Sequence, residues 1–136
     1  MENFGEQLSQ FPRILLVDDD KFLVEFFVRV FQSHGFQTVC CQNGEEALQF
    51  LEKESSNFDL AVIDLLMPIK SGWDLIRQMK AEDSLSHIPI LAMTGLNLSF
   101  DEYSEIKNMA DGVLVKGEFD ITALTETVKK LMQIEV

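Results

Sequence analysis

The sequence predicts an α/β protein: a five-stranded parallel sheet covered by helices on both faces. Three observations carry this expectation. Short apolar runs alternate strictly with segments of helical period. The runs lack the apolar–polar alternation of a half-exposed strand, so they are covered on both sides. The conspicuous polar residues, Asp18-Asp19-Asp20, Asp64, Thr94 and Lys116, each follow or end such a run.

Arg13 to Val17 is the first strand. Leu23, Phe26, Phe27 and Val30 then recur at i, i+3, i+4 and i+7, the stripe of an amphipathic helix that Gly35 stops. Phe36 to Cys41 is the second strand, and Asn43-Gly-Glu-Glu46 reads as a capping box opening a helix to about Glu54. After a loop of Ser55, Ser56 and Asn57, Phe58 to Ile63 forms a third strand entering Asp64. Pro68, Lys70 and Gly72 mark a loop before a helix that turns Leu75, Ile76 and Met79 inward. Ile88 to Met93 is the fourth strand. Ser99 and Glu102 suit the cap of a short acidic helix with Tyr103 and Ile106 inward. Gly112 to Val115 is the fifth strand, and Ile121, Leu124, Val128 and Leu131 stripe the last helix. Trp73, Phe100 and Tyr103 are read as helix-to-sheet packing. Right-handed crossovers favour the flavodoxin-like strand order 2-1-3-4-5, with its ligand crevice at the strands' carboxyl ends.

A chain of 136 residues, 46% of them hydrophobic, suits one compact domain over 13–136 after a short tail, 1–12. The net charge of −12 argues against nucleic acid and anionic membranes as partners, and for a divalent cation wherever carboxylates converge. Cys40 and Cys41 are adjacent, so on a strand they face opposite ways, and a reduced cytoplasmic chain is expected. No run of about 18 apolar residues is present, and the first ten residues lack the basic and apolar regions of a signal peptide.

If the topology holds, the strand ends bring Asp18, Asp19, Asp64, Thr94 and Lys116 to one edge. Converging carboxylates repel, and a hard divalent cation with oxygen ligands relieves that repulsion. A hydroxyl and a mobile ammonium complete a set suited to phosphoryl transfer, where catalysis is mostly positioning and electrostatics. Asp20 is better read as a helix cap.

Ile-Leu-Leu-Val-Asp18-Asp19-Asp20, Val-Ile-Asp64-Leu-Leu-Met67-Pro68, Met-Thr94-Gly95 and Val-Leu-Val-Lys116, in that order, resemble the receiver domains of two-component response regulators. The resemblance spans roughly Arg13 to Met132, and the chain looks like the free-standing, chemotaxis-regulator type. It implies that Asp64 accepts a phosphoryl group from a phosphohistidine on a sensor kinase or phosphotransfer protein. It implies Mg2+ held by Asp18, Asp19, Asp64 and the backbone carbonyl of Leu66. Thr94, the amides of Leu66 and Gly95, and Lys116 would hold the phosphoryl oxygens. The output would be altered partner binding, with the protein catalysing only its own phosphorylation and dephosphorylation.

Three positions depart from the family's habit. Gly117 stands where proline usually follows the lysine, which predicts a trans Lys116–Gly117 bond and a freer loop. Val113 replaces the usual aromatic ring, so ring-gated coupling is not expected. Leu66 and Leu96 flank the path of hydrolytic water and cannot orient it, which predicts a long-lived phosphoaspartate. The competing reading is a receiver-shaped scaffold that is never phosphorylated. A phosphoaspartate hydrolase is disfavoured because Leu66 stands where a second aspartate is expected. A flavin module is disfavoured because the first loop is acidic.

Overall fold

The computed structural model describes residues 11–54, 58–67, 69–95, 98–118 and 120–134. Residues 1–10 of the expected tail, the loop residues Ser55, Ser56 and Asn57, the loop marker Pro68, and Leu96 lie outside them. The elements run β1 (Arg13–Val17), α1 (Lys21–Ser33), β2 (Gln37–Cys41), α2 (Gly44–Glu54), β3 (Leu60–Asp64), α3 (Gly72–Ala81), β4 (Ile90–Thr94), α4 (Phe100–Met109), β5 (Gly112–Val115) and α5 (Ile121–Leu131). The strands form one sheet in the order β2-β1-β3-β4-β5, all pairs parallel.

Alternate strand residues serve opposite faces. Leu15, Val17, Ala61, Ile63 and Ala92 pack with Leu51 of α2, Ile76 of α3 and Ile106 of α4. Ile14, Leu16, Leu60, Val62, Leu91 and Met93 pack on the other face with Phe27 and Phe31 of α1 and Leu124 of α5. Cys41 is buried and Cys40 exposed, the opposite facings expected of neighbours on a strand.

Local signals fix the helix ends. Asp20 caps α1, its carboxylate accepting the amides of Phe22 and Leu23. Gly35, at φ 82, lets the chain leave that helix in the left-handed region. Asn43 accepts the Glu46 amide at 2.9 Å, the forward half of the expected box. Ser99 and Glu102 form a full capping box at the start of α4.

Several expected inward residues face solvent instead. Phe100 is 84% exposed, and Phe26, Tyr103 and Ile121 are exposed too. Phe100 and Ile121 are the first residues of their helices, which start past the carboxyl ends of β4 and β5, away from the centre of the sheet. Trp73 packs partly buried on the face holding Leu75 and Met79, as expected.

Phe31 is fully buried while Phe22 is 87% exposed. Phe31→Ala is expected to lower unfolding free energy by about 3–5 kcal/mol, and Phe22→Ala to change it by less than about 0.5 kcal/mol, both read by urea denaturation.

Candidate functional site

The parallel ladder continues past the strand ends and sets the site. The amides of Asp18, Leu65 and Lys116 donate to the carbonyls of Cys41, Met93 and Thr94 at 3.0, 3.0 and 2.7 Å. Backbone pairing therefore fixes where four strands release the polar residues. Asp18, Asp64 and Thr94 are buried, Asp19 is exposed and Lys116 is half-buried.

Asp18 accepts the Asp20 amide through Oδ1 at 2.9 Å. Its Oδ2 is sealed from solvent and takes no hydrogen bond among the described residues. It lies 3.0 Å from Lys116 Nζ in an ion pair. The same ammonium lies 3.2 Å from Asp64 Oδ2. Asp64 Oδ1 accepts a long hydrogen bond, 3.4 Å, from the Leu66 amide. Thr94 donates its hydroxyl to the Gly95 carbonyl at 3.1 Å. Gly95 is exposed, and the Leu66 side chain is 69% exposed.

One carboxylate oxygen from each of Asp18, Asp19 and Asp64 lies within 4.8 Å of the others. A cavity of about 270 Å3 opens beside them, lined by Asp18, Asp19, Lys21, Cys40, Cys41 and Glu46. Another of about 330 Å3 adjoins Thr94, Gly95, Tyr103 and Val115. A larger one, about 620 Å3, lies at the opposite edge of the sheet around Phe58, His87 and Lys130, and contains none of the polar residues above.

The electrostatics follow from one cation facing two buried anions. Burial, and then the charge of Asp18, push the Asp64 carboxyl from 3.8 up to about 6, although Lys116 and the Leu66 amide pull it down. Burial pulls the Lys116 ammonium down, but Asp18 and Asp64 outweigh it and hold the group above its ordinary value. Lys116 is thus a firm cation, and the two carboxylates remain under-neutralised.

The trans peptide expected at Lys116–Gly117 is present, and Gly117 takes φ 84. Lys116 reaches both carboxylates without a proline behind it. Val113 is partly buried against the core.

The strain at Ile69, in the β3–α3 loop, and the close approach at Gly72, which opens α3, were not legible in the sequence. Ile69 sits at φ 69, a left-handed conformation that costs a β-branched residue about 1–2 kcal/mol, and its side chain is 83% exposed. Gly72 is needed for space, because a Cβ there would collide with the Asp64 carbonyl oxygen. The loop is therefore folded tightly back on the residue that ends β3.

Two outcomes are expected. Ile69→Asn should raise stability by about 1 kcal/mol in thermal or urea unfolding, since asparagine tolerates the left-handed region. Asp64, with its folded-state pKa raised, binds its proton more tightly folded than unfolded, so metal-free stability falls as pH rises from about 4 through 6. In a chelator at pH 7.5, Asp64→Asn should be more stable than wild type by about 2 kcal/mol, with the gap narrowing toward pH 4.

Comparison with known proteins agrees with this geometry. The family model of the response regulator receiver domain matches residues 14–129. The polar-differentiation response regulator DivK of Brucella anthropi is 25% identical over 119 residues, covering 88% of this chain and 94% of the relative. The gliding motility regulatory protein of Myxococcus xanthus is 29% identical over 119 residues, 88% of this chain, which spans only 15% of that relative. The crystal structure of the signal receiver domain of a signal transduction histidine kinase from Syntrophus aciditrophicus superposes with a TM-score of 0.81 at 30% identity, covering 90% of each chain. No helix among the described residues is long and apolar enough to cross a membrane. With its five parallel strands in the order 2-1-3-4-5 and its acidic carboxyl edge, the chain belongs to the response regulator receiver domain family.

Proposed function

We propose that the chain is a cytoplasmic phosphorelay switch that accepts a phosphoryl group on Asp64. The observation that carries this reading is the buried Asp64 carboxylate, set between Asp18 and the Lys116 ammonium at the carboxyl edge of the sheet.

The donor set suits Mg2+. Three carboxylates converge, and the Lys116 ammonium beside the buried Asp18 and Asp64 oxygens leaves negative charge uncompensated. Asp18, Asp19, Asp64 and the Leu66 carbonyl would hold the ion, which prefers few carboxylates, water and phosphate oxygens. When bound, Mg2+ supplies positive charge beside the transferring group.

The donor is a phosphohistidine on a sensor kinase or phosphotransfer protein. An oxygen of Asp64 attacks phosphorus, the P–N bond breaks as the P–O bond forms, and the electron pair leaves with the imidazole nitrogen. Lys116 pairs with a phosphoryl oxygen. The amides of Leu66 and Gly95 donate to the others, and the Thr94 hydroxyl joins them by leaving the Gly95 carbonyl. That last movement links the chemistry to the end of β4. The consequence is a shift between pre-existing conformations and a change in which partner is bound. Leu66 offers no group that could orient an attacking water, so the phosphoaspartate should persist.

The test is an intact-mass measurement after incubation with a small acyl phosphate, with and without Mg2+. A Mg2+-dependent, acid-stable, base-labile adduct, absent from Asp64→Asn, is expected, with decay slower than seconds at neutral pH. An adduct that survives in Asp64→Asn would refute the assignment. Partner binding unchanged by Asp64→Asn, with no adduct in wild type, would leave a receiver-shaped scaffold.

A further inference from the structure

We infer that Gly44, through its contact with Lys70, is a positioning residue for cation binding by the loop that carries Asp64 and Leu66. The inference rests on the reading of Asp64 and the Leu66 carbonyl as ligands of the ion, and adds a residue that lies on a different loop.

Gly44 is the first residue of α2, so its amide has no partner within that helix. It donates instead to the Lys70 carbonyl, at 3.0 Å, across to the β3–α3 loop. Gly44 is buried, and its φ is not among the positive ones, so the absent side chain serves space rather than conformation. A Cβ at this position would lie 2.6 Å from the Lys70 carbonyl oxygen and 3.0 Å from Lys70 Cβ and Cγ. The nearest atom is backbone and cannot rotate away.

The loop has a second anchor, but it is internal. Gly72 donates to the Leu65 carbonyl at 3.1 Å and packs on the Asp64 carbonyl. Between the anchors Ile69 holds its strained φ of 69, with no packing gain from an exposed side chain. Such a conformation persists only where its surroundings impose it. Among the described residues, the Leu65 amide on the Met93 carbonyl ties the start of the loop to β4, and the Gly44–Lys70 contact restrains its far end from α2. A side chain at 44 must push Lys70 outward, and the loop carries that displacement toward Leu66. Displacements of this kind, well under 1 Å, are enough to degrade a preorganised site.

The experiment is a calorimetric Mg2+ titration of the full chain as wild type, Gly44→Ala and Leu48→Ala, with urea unfolding of each in chelator. Leu48 is buried on the same helix and serves as the stability control. Gly44→Ala is expected to weaken Mg2+ about tenfold or more, while Leu48→Ala, of equal or lower stability, stays within about twofold of wild type. Equal affinity in Gly44→Ala and wild type overturns the inference. Absence of Mg2+ binding in wild type would instead be a failure of the proposed function. A measurement on wild type alone covers a Gly44→Ala that does not fold. Coupling is reciprocal, so Mg2+ should slow hydrogen exchange at the Gly44 amide about threefold or more. An unchanged exchange rate there, in protein that binds Mg2+, also overturns it.

Discussion

Two buried carboxylates share a single ammonium at the carboxyl edge of this sheet, and much of the local architecture exists to tolerate that arrangement. Asp18 Oδ2 and Asp64 Oδ2 lie 3.0 and 3.2 Å from the same Lys116 nitrogen. Removing charges from water is costly, and one cation cannot repay two anions. The imbalance shows in Asp64, whose carboxyl is raised to about 6 chiefly by burial, then by Asp18. A fold that merely sought stability would neutralise or expose one of these groups. Here each is fixed by a backbone ladder running one residue past its strand, so neither can retreat. The edge is held in readiness for positive charge.

Much of this was legible in the sequence because strands buried on both faces leave a simple trace. An uninterrupted apolar run that ends in a polar residue locates both the strand and its exit, and β1 and β5 span the expected residues. Asp20 was legible as a cap for the same reason: it stands just before the first helical residue. The exposed aromatic residues were not. Periodicity gives the direction a residue faces, but not whether a neighbouring element extends that far. Phe100 and Ile121 lie at helix starts past the carboxyl ends of β4 and β5, and Phe26 and Tyr103 lie at the margins of stripes whose centres, Phe27 and Ile106, are buried. Ile69 contradicts the usual rule, since glycine or asparagine is expected where φ is positive. Gly44 is subtler. It does follow the capping Asn43 and open α2, but nothing in one sequence separates a glycine required for conformation from one required for space.

The loop between Asp64 and Gly72 is where these unread features gather. Local strain there is offset by contacts elsewhere: the Gly72 approach to Asp64, the Gly44 amide on Lys70, and the parallel ladder that continues through Leu65 to Met93. Leu65 and Met67 pack on the core, but Leu66 and Ile69 face solvent and gain nothing from packing. On the proposed function the loop's value would be the placement of the Leu66 backbone, whose amide donates to Asp64 Oδ1 at 3.4 Å. The long distance is itself informative. That hydrogen bond is weak, so the amide is free to take a better acceptor at little cost.

The same reasoning bears on how a signal would leave the site. Val113 is stiff and partly buried against the core, so no aromatic ring at that position can swing between two pockets. What can change is the partner of each polar group. Thr94 has its hydroxyl on the neighbouring Gly95 carbonyl, and Lys116 is divided between two carboxylates. On the proposed function, a phosphoryl group on Asp64, with roughly two negative charges, would compete for both. Thr94 ends β4 and Lys116 follows β5, and the two are joined by the 2.7 Å bond from the Lys116 amide to the Thr94 carbonyl. The backbones that carry the two side chains are therefore tied together by a hydrogen bond. Full conversion between two states needs about 5.5 kcal/mol of differential binding. Two charge-assisted hydrogen bonds, at about 1.5–3 kcal/mol each, come close to that figure. The switch would then need no large mobile side chain, only the exchange of acceptors at two adjacent strand ends.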